Sequence, residues 1–381
     1  MEEAIRYYFG KNYQYKTILE FLDRFHDIKI SKRTLLNKLK EYGLSRRKSN
    51  ADRGQVSACI QRELDGSGQL LGYRAMWRRL QSKHGIHVPR LMVQTILREL
   101  NPEGSRLRRA HRLQRREYLN PGPNYCWHSD GYDKLKPFGF PIHGCIDGFS
   151  RRIMWLEITR TNNNPHVVGK FYIDCIKRQQ SCPTILRTDK GTENGIMAAA
   201  QSFLRRDHLD ALSGIKAHRY GSSHSNQRIE AWRAMLRRSW ASWWINFFKD
   251  LVAKGVLDTS KKLHLECLWF CFISVMKKAL SEIRTSWNSH YVRKSRNYTA
   301  HGIPDKIFFL PESVGTTDYK KPYEQSDLQE IELQVNVPAE HEIDDVYQEY
   351  FAYSSAMLGL QEPQNWRESL AMYERMIELA E

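Results

Sequence analysis

Through the first hundred residues the apolar positions follow the spacing of helices with one buried face, and the pattern occurs twice. At an offset of 58, Tyr15-Lys16 pairs with Tyr73-Arg74, Ile18 with Met76, Leu22 with Leu80, His26 with His84, Ile28 with Ile86, Ile30 with Val88, Leu39 with Leu97 and Glu41 with Glu99. Each half predicts a first helix (15–26 and 73–84), then a short apolar link ending at Ser31 or Pro89. Both are good helix-starting residues, so a second helix follows. Gly43 and Asn101-Pro102 stop those second helices. From Pro123 the period becomes that of strands: 125–130, 140–147 and 152–159 read as a three-stranded meander, turning at Asp147-Gly148-Phe149-Ser150. Pro165 opens an amphipathic helix with Val168, Phe171, Tyr172 and Cys175 on one face, and 184–188 is a short β-branched strand. A helix through Ile196, Ala199, Phe203 and Leu204 precedes a strand near Ile215. The polar loop 220–225 then leads into a long helix beginning at Asn226.

Two helices joined by a short turn, with Lys and Arg on the second, resemble helix-turn-helix units whose second helix enters a major groove. The outward candidates are Lys32, Arg33, Asn37 and Lys38 in the first unit and Arg90, Gln94, Thr95 and Arg98 in the second. The alternative is a helical packing module with solvated charges. Charge weighs on the choice. The 381 residues carry +16, but residues 312–381 hold 16 acidic against four basic side chains, a balance of −12 that leaves +28 on residues 1–311. Such an excess is the electrostatic footprint of a polyanion partner, with nucleic acid the leading candidate. Six Arg fall within residues 106–116, among them Arg108, Arg109 and Arg112. This basic linker could track phosphate backbone or serve as a nuclear-import signal, or be an ordinary Arg-faced helix.

The chain is long enough for two or three domains, and with 41% hydrophobic residues it can bury a sizeable core. The longest apolar-rich stretch, 265–276, falls well short of the ~20 residues a membrane span requires. The N-terminus lacks the pattern of a secretory signal. Seven Cys without any C-x-x-C fit buried thiols in a reducing compartment better than a disulfide or zinc framework.

Three acids sit at telling places: Asp130 on the first strand, Asp189 just past the fourth, and Glu230 in the first turn of the helix after the polar loop. Their contexts are WHSDGYDKL, ILRTDKGTEN and HSNQRIEAW. From about Tyr125 to Phe309 the sequence resembles the retroviral integrase and DDE transposase catalytic core, with GCIDGFSRR at the second strand's turn and GIPDKIFF near its end. It looks similar to integrase-core proteins of transposon origin in animal genomes. The resemblance implies an α/β, ribonuclease-H-like fold and metal-dependent strand transfer on DNA. It also implies two Mg²⁺ (or Mn²⁺) ions per site, bridged by Asp130 and held further by Asp189 and Glu230. Phosphodiester attack in line needs such a pair of hard cations. The chain departs from retroviral integrases at its ends, with no His-His-Cys-Cys zinc module and an acidic rather than basic C-terminus.

Expected organisation is therefore 1–50 as a first helix-turn-helix, 51–119 as a second with the basic linker, 120–310 as the core with a helical extension, and 311–381 as the acidic segment. The partners expected are DNA ends and target duplex and further copies of the chain, in the nucleus. Other residues carry plainer readings. Asp147 caps its turn, and Glu193 and Asn194 cap the next helix, although Glu193 could approach the metals. Ile229, Trp232 and Leu236 form a buried stripe that leaves Glu230, Arg233 and Arg237 facing DNA. His128 and His224 are structural or phosphate-contacting, and Trp240, Trp243, Trp244, Phe247 and Leu251 are core. His264, Cys267 and Cys271 share a helical face without a fourth zinc ligand, which favours packing. In the acidic end Trp366, Leu370, Tyr373 and Ile377 recur at helical spacing, and the segment is expected to dock a partner, to fold back on the basic surface and compete with DNA, or to be a solvated tail. Two rival functions stay open: a domesticated DNA-binding regulator without catalysis, and a ribonuclease-H-type nuclease.

Overall fold

The computed structural model describes residues 1–45, 51–69, 71–102, 120–221, 227–294, 300–335 and 345–380. Each half of the repeat lies within a three-helix unit: α1 (Glu2–Gly10), α2 (Tyr15–His26) and α3 (Lys32–Glu41), then α4 (Arg53–Leu64), α5 (Tyr73–His84) and α6 (Arg90–Leu100). The 58-residue offset reaches the backbone itself. Asp27 and Gly85 occupy the same position and both leave their helix left-handed, at φ 53° and 62°, which turns the chain into the apolar link. Ser31 caps α3 by accepting from the Thr34 N–H at 3.1 Å, and Trp77 Nε1 fixes the second turn by donating to the Val88 carbonyl at 2.7 Å. α1 and α4, which the repeat does not include, complete the cores. Ile5, Tyr8 and Phe9 pack with Ile18, Phe21 and Leu35, and Val56, Cys59 and Ile60 with Met76, Leu80 and Val93.

The strands β1 (Cys126–Tyr132), β2 (Ile142–Asp147), β3 (Ile153–Ile158), β4 (Ile185–Thr188) and β5 (His218–Tyr220) form one sheet in the order β3-β2-β1-β4-β5. The first three pair antiparallel as a meander, and β4 and β5 join β1 in parallel. The last strand begins three residues later than expected. Residues 214–217 form a 3₁₀ turn that leaves Ile215 exposed, and a three-residue strand is too short for its period to be read.

Helices cover both faces of the sheet. In chain order they are α7 (Pro165–Gln179), α8 (Gly195–Leu204), α9 (Gln227–Leu236), α10 (Ser242–Ala253), α11 (Lys262–Asn288), α12 (Pro304–Phe309), α13 (Gln325–Val335), α14 (Asp345–Met357) and α15 (Trp366–Ala380). One face buries Trp127, Cys145, Trp155, Tyr172, Ile176 and Leu328 beneath α7, α8 and α13. The other buries Tyr132, Ile142 and Ile146 under α9, α10 and α11, where Trp240, Trp243, Trp244 and Leu251 are core as their spacing suggested, with Phe247 partly buried and Phe248 buried beside them. α9 passes into α10 through a π turn at Arg237–Ala241. The first helical unit seats on the core through α12: the Tyr13 hydroxyl donates to Asp305 Oδ2 at 2.6 Å and Arg152 Nε to Asp305 Oδ1 at 2.8 Å.

The acidic end is built into the fold, which the reading of a tail or docking segment did not anticipate. α13 closes the α7–α8 face through Leu328, Ile331 and Val335, and α15 lays Met372, Tyr373, Met376 and Ile377 against the other core. Its acids meet the basic body in ion pairs, Asp327 with Arg206 at 2.8 Å and Glu332 with Lys177. His264, Cys267 and Cys271 are core residues facing α15, with His264 Nδ1 2.8 Å from the Tyr373 hydroxyl. Tyr373 is fully buried and also donates to the Val256 carbonyl at 3.2 Å. Tyr373→Ala should cost about 3 to 5 kcal/mol in urea unfolding, as for other large buried aromatics. A loss below about 0.5 kcal/mol, the scale of surface changes, would mean that α15 is appended rather than part of the core.

Candidate active site

Residues alternate across the sheet along β1: Trp127 belongs to the α7 face, whereas Tyr132 belongs to the α9 face. Asp130 shares the parity of Tyr132, and its carboxyl therefore lies toward α9. It is 8% exposed and stands opposite Gly144 of β2. The next residue must be small, because a Cβ on Gly131 would come within 2.8 Å of Asn162 Nδ2. That same amide donates to Asp133 at 2.7 Å and to the Ile142 carbonyl at 3.3 Å, tying the end of β1 to the loop before α7.

Asp189 follows directly on β4, whose parallel pairing with β1 sets the two acids side by side at one end of the sheet. Its Oδ1 accepts from Asn194 Nδ2 at 2.7 Å and from the Gly191 N–H at 3.1 Å. Asn194 thus orients the acid rather than capping α8 with its side chain, as the sequence had suggested. Glu193 lies near the same cluster; burial pushes its carboxyl up, and the charges of Asp189 and Asp133 push it further. Glu230 stands in the first turn of α9, half-buried. The stripe beneath it is as expected, with Ile229, Trp232 and Leu236 all buried.

Arg233, one turn on from Glu230, departs from the expectation of a DNA-facing side chain. Its guanidinium pairs with Asp130 Oδ2 and lies 6.0 Å from the centre of the Tyr132 ring. The Asp130 carboxyl is raised to about 7, chiefly by burial and further by the charges of Asp189 and Glu230, against the opposing pull of Arg233. The three acids are therefore within electrostatic reach of one another. As they stand, no three His, Cys, Asp or Glu side chains among the described residues converge on one point. The donor set nonetheless fits a divalent ion. Three carboxylates are hard oxygen ligands of the kind Mg²⁺ and Mn²⁺ prefer.

The remaining candidates fall in several places. Asp147 caps its turn, accepting from the N–H groups of Asn124, Phe149 and Ser150. His128 is buried beside Cys126. On α3, Lys32, Arg33 and Asn37 are exposed, and Lys38 pairs with Glu41 at 2.9 Å. On α6, Arg90 and Arg98 are exposed, Gln94 and Thr95 half-buried, and Arg237 is exposed at the π turn. Arg108, Arg109, Arg112 and His224 lie outside the described residues. No described helix is long and apolar enough to cross a membrane.

A mixed five-stranded sheet in this order, with helices on both faces, is the ribonuclease-H-like integrase core. Residues 118–310, just over half of the chain, match the integrase core domain family, and the chain belongs to it. Through that family it belongs among the DDE polynucleotidyl transferases, which generally use divalent metal ions and act on DNA. No curated protein shows similarity to the chain.

A carboxyl near 7 must shed its proton before it can hold a cation. The affinity of the protein for Mn²⁺ should thus fall about tenfold for each pH unit below 7 and level off above it, as calorimetric titrations at several pH values would show. Affinity that is flat across about pH 5.5 to 8 would remove Asp130 from the metal site or its carboxyl from that range.

Proposed function

We propose that the protein is a transposon-derived DNA integrase or transposase, which joins DNA ends to a target duplex by metal-dependent phosphodiester strand transfer. The observation that supports the reading is that, in an integrase core, the charges of Asp189 and Glu230 both reach the Asp130 carboxyl on the central strand. Divalent ions held there would activate the attacking oxygen and steady the leaving oxygen. Asp130, Asp189 and Glu230 would hold them, with Asn194 keeping Asp189 in orientation. Arg233 balances the charge of Asp130, and its guanidinium is of a type that also pairs with phosphate. The exposed residues of α3 and α6, with the Arg-rich linker and Arg237, would grip DNA, the two units recognising element ends. We further propose that the protein works in the nucleus, as a homo-oligomer that holds more than one DNA end.

One observation favours a second reading. The pairing of Asp130 with Arg233 would suit a DNA-binding regulator in which an internal cation has taken over the place of the reaction. Incubating labelled DNA ends with the protein and Mg²⁺ or Mn²⁺ separates the two. Asp130→Asn, Asp189→Asn and Glu230→Gln should each lower joining by more than about a hundredfold, the scale on which one charged group acts in a transition state, with DNA binding nearly intact. No joined product from the wild-type chain would support the regulator, and nicks without joining a ribonuclease-H-type nuclease. Binding itself should weaken steeply with salt, and replacing Lys32 and Arg33 together should reduce the slope of log K against log salt by about 2. An unchanged slope would take α3 off the DNA.

A further inference from the structure

Two cavities lie at the junction between the second helical unit and the core. One, of about 520 Å³, is framed by the turn after α1, by α5 and by α11; the other, of about 460 Å³, by α5, α11 and residues 290–293. Both are lined by Arg78, Ser82, Lys83, Glu282, Ser286 and Tyr291. Arg78 is the unusual member. Its side chain is recessed in the junction, and among the described residues it has no acidic partner. Its charged neighbours are Arg74 and Arg90, which with burial lower its pKa to about 10, so it remains a cation. His290, which it also faces, is held neutral by burial.

The other charges of the junction are already matched or stand at its edges. Glu282 is the one acid among the described lining residues, and it lies 4.0 Å from Lys83. Arg79 is taken up by Glu63 at 3.1 Å. Arg90 is held 4.3 Å over the Trp77 ring and Arg74 5.2 Å over Tyr73, both poised by aromatic faces rather than by carboxylates. From the opposite wall α11 presents the hydroxyl residues Ser281, Thr285 and Ser286. A guanidinium withdrawn from water without a counter-charge is costly, and hydroxyl donors beside it suit phosphoryl oxygens, which Arg takes in bidentate fashion.

We propose that this junction binds a small oligophosphate anion, with Arg78, which lines both cavities, as the central ligand, Arg90 beside it in the larger cavity and Arg74 in the smaller. Each cavity has the size of a small-molecule site; Arg90, at the exposed start of α6, can also face DNA, whereas Arg78 is recessed between α5 and α11. The anion supplies the negative charge that the junction lacks, and so fastens α5 to α11 and the second helical unit to the catalytic core. The site does not depend on strand transfer and stands equally in a protein that joins no DNA.

The test uses the full chain, with inorganic tripolyphosphate as probe, in calorimetry and thermal unfolding. Saturable binding near one ion per chain and a raised unfolding midpoint are expected. Arg78→Gln should weaken binding at least about tenfold, whereas Lys254→Gln, at the exposed end of α10, should leave it unchanged. Without the anion, Arg78→Gln should unfold no earlier than the wild type, since a recessed cation without a partner is lost. Equal binding by the Arg78 variant, or equal loss from the Lys254 variant, would reduce the effect to general charge attraction. Early unfolding of the Arg78 variant without anion would make Arg78 a structural cation. A short DNA duplex that displaces tripolyphosphate and loses affinity to the same extent on Arg78→Gln would assign the junction to DNA phosphates and overturn the proposal.

Discussion

A carboxyl buried on the central strand of a sheet covered on both faces must be neutralised, paired or bound to a cation. Asp130 imposes that condition, and much of the architecture follows from it. Burial alone would leave it protonated near neutral pH; Arg233 gives it a counter-charge from the adjacent helix. For that pairing α9 must be fixed in rotation as well as in place. Ile229, Trp232 and Leu236 key it into the core, Trp232 lies edge-on to Trp287 of α11, and the π turn re-aims the chain so that Trp240 and Trp244 are buried in turn. The helix that brings Glu230 to Asp130 thereby also brings Arg233. One helix face supplies both a third acid and an internal cation, and the site can be held ready without an ion in place.

The distribution of charge along the chain has a structural outcome as well. A body of +28 and an end of −12 attract one another, but the cations of their ion pairs stay partly in water, which screens the attraction. What fixes the end is apolar: α13 and α15 supply residues that α7, α8 and α11 cannot bury among themselves. The acids then ride on the outer faces of these helices, with Asp327, Glu332 and Arg367 pairing to the body at the margins. Covering basic surface in this way narrows the area open to a polyanion and leaves α3 and α6 exposed.

Local features were the legible ones in the sequence. The 58-residue repeat was readable because the same side chains serve the same turn twice, down to the left-handed residues Asp27 and Gly85. The three acids could be found because each follows a distinct signal: an aromatic strand, a β-branched strand, a polar loop before a helix. What stayed hidden depends on contacts between distant segments. Asn162 and Asn194 sit in loops where Asn usually signals a turn, and only the fold brings their amides to Asp133 and Asp189. Arg233 read as a surface cation because of its charge, although it follows Ile229 by four residues and so borders the buried stripe; nothing in that spacing says that β1 lies alongside. The last acidic helix shows its apolar face in the spacing of Trp366, Leu370, Tyr373 and Ile377, but that spacing does not say which surface the face meets, and only the fold shows Tyr373 and Met376 packed into the core.

The account rests on Asp130, Asp189 and Glu230 forming one divalent-cation site that Arg233 yields on loading. Anomalous diffraction from crystals of the protein soaked in Mn²⁺ tests it most directly. The account predicts anomalous peaks between these three carboxylates, with Arg233 turned away from Asp130. Peaks elsewhere, or no peak while the Arg233–Asp130 pair stays intact at saturating Mn²⁺, would contradict it.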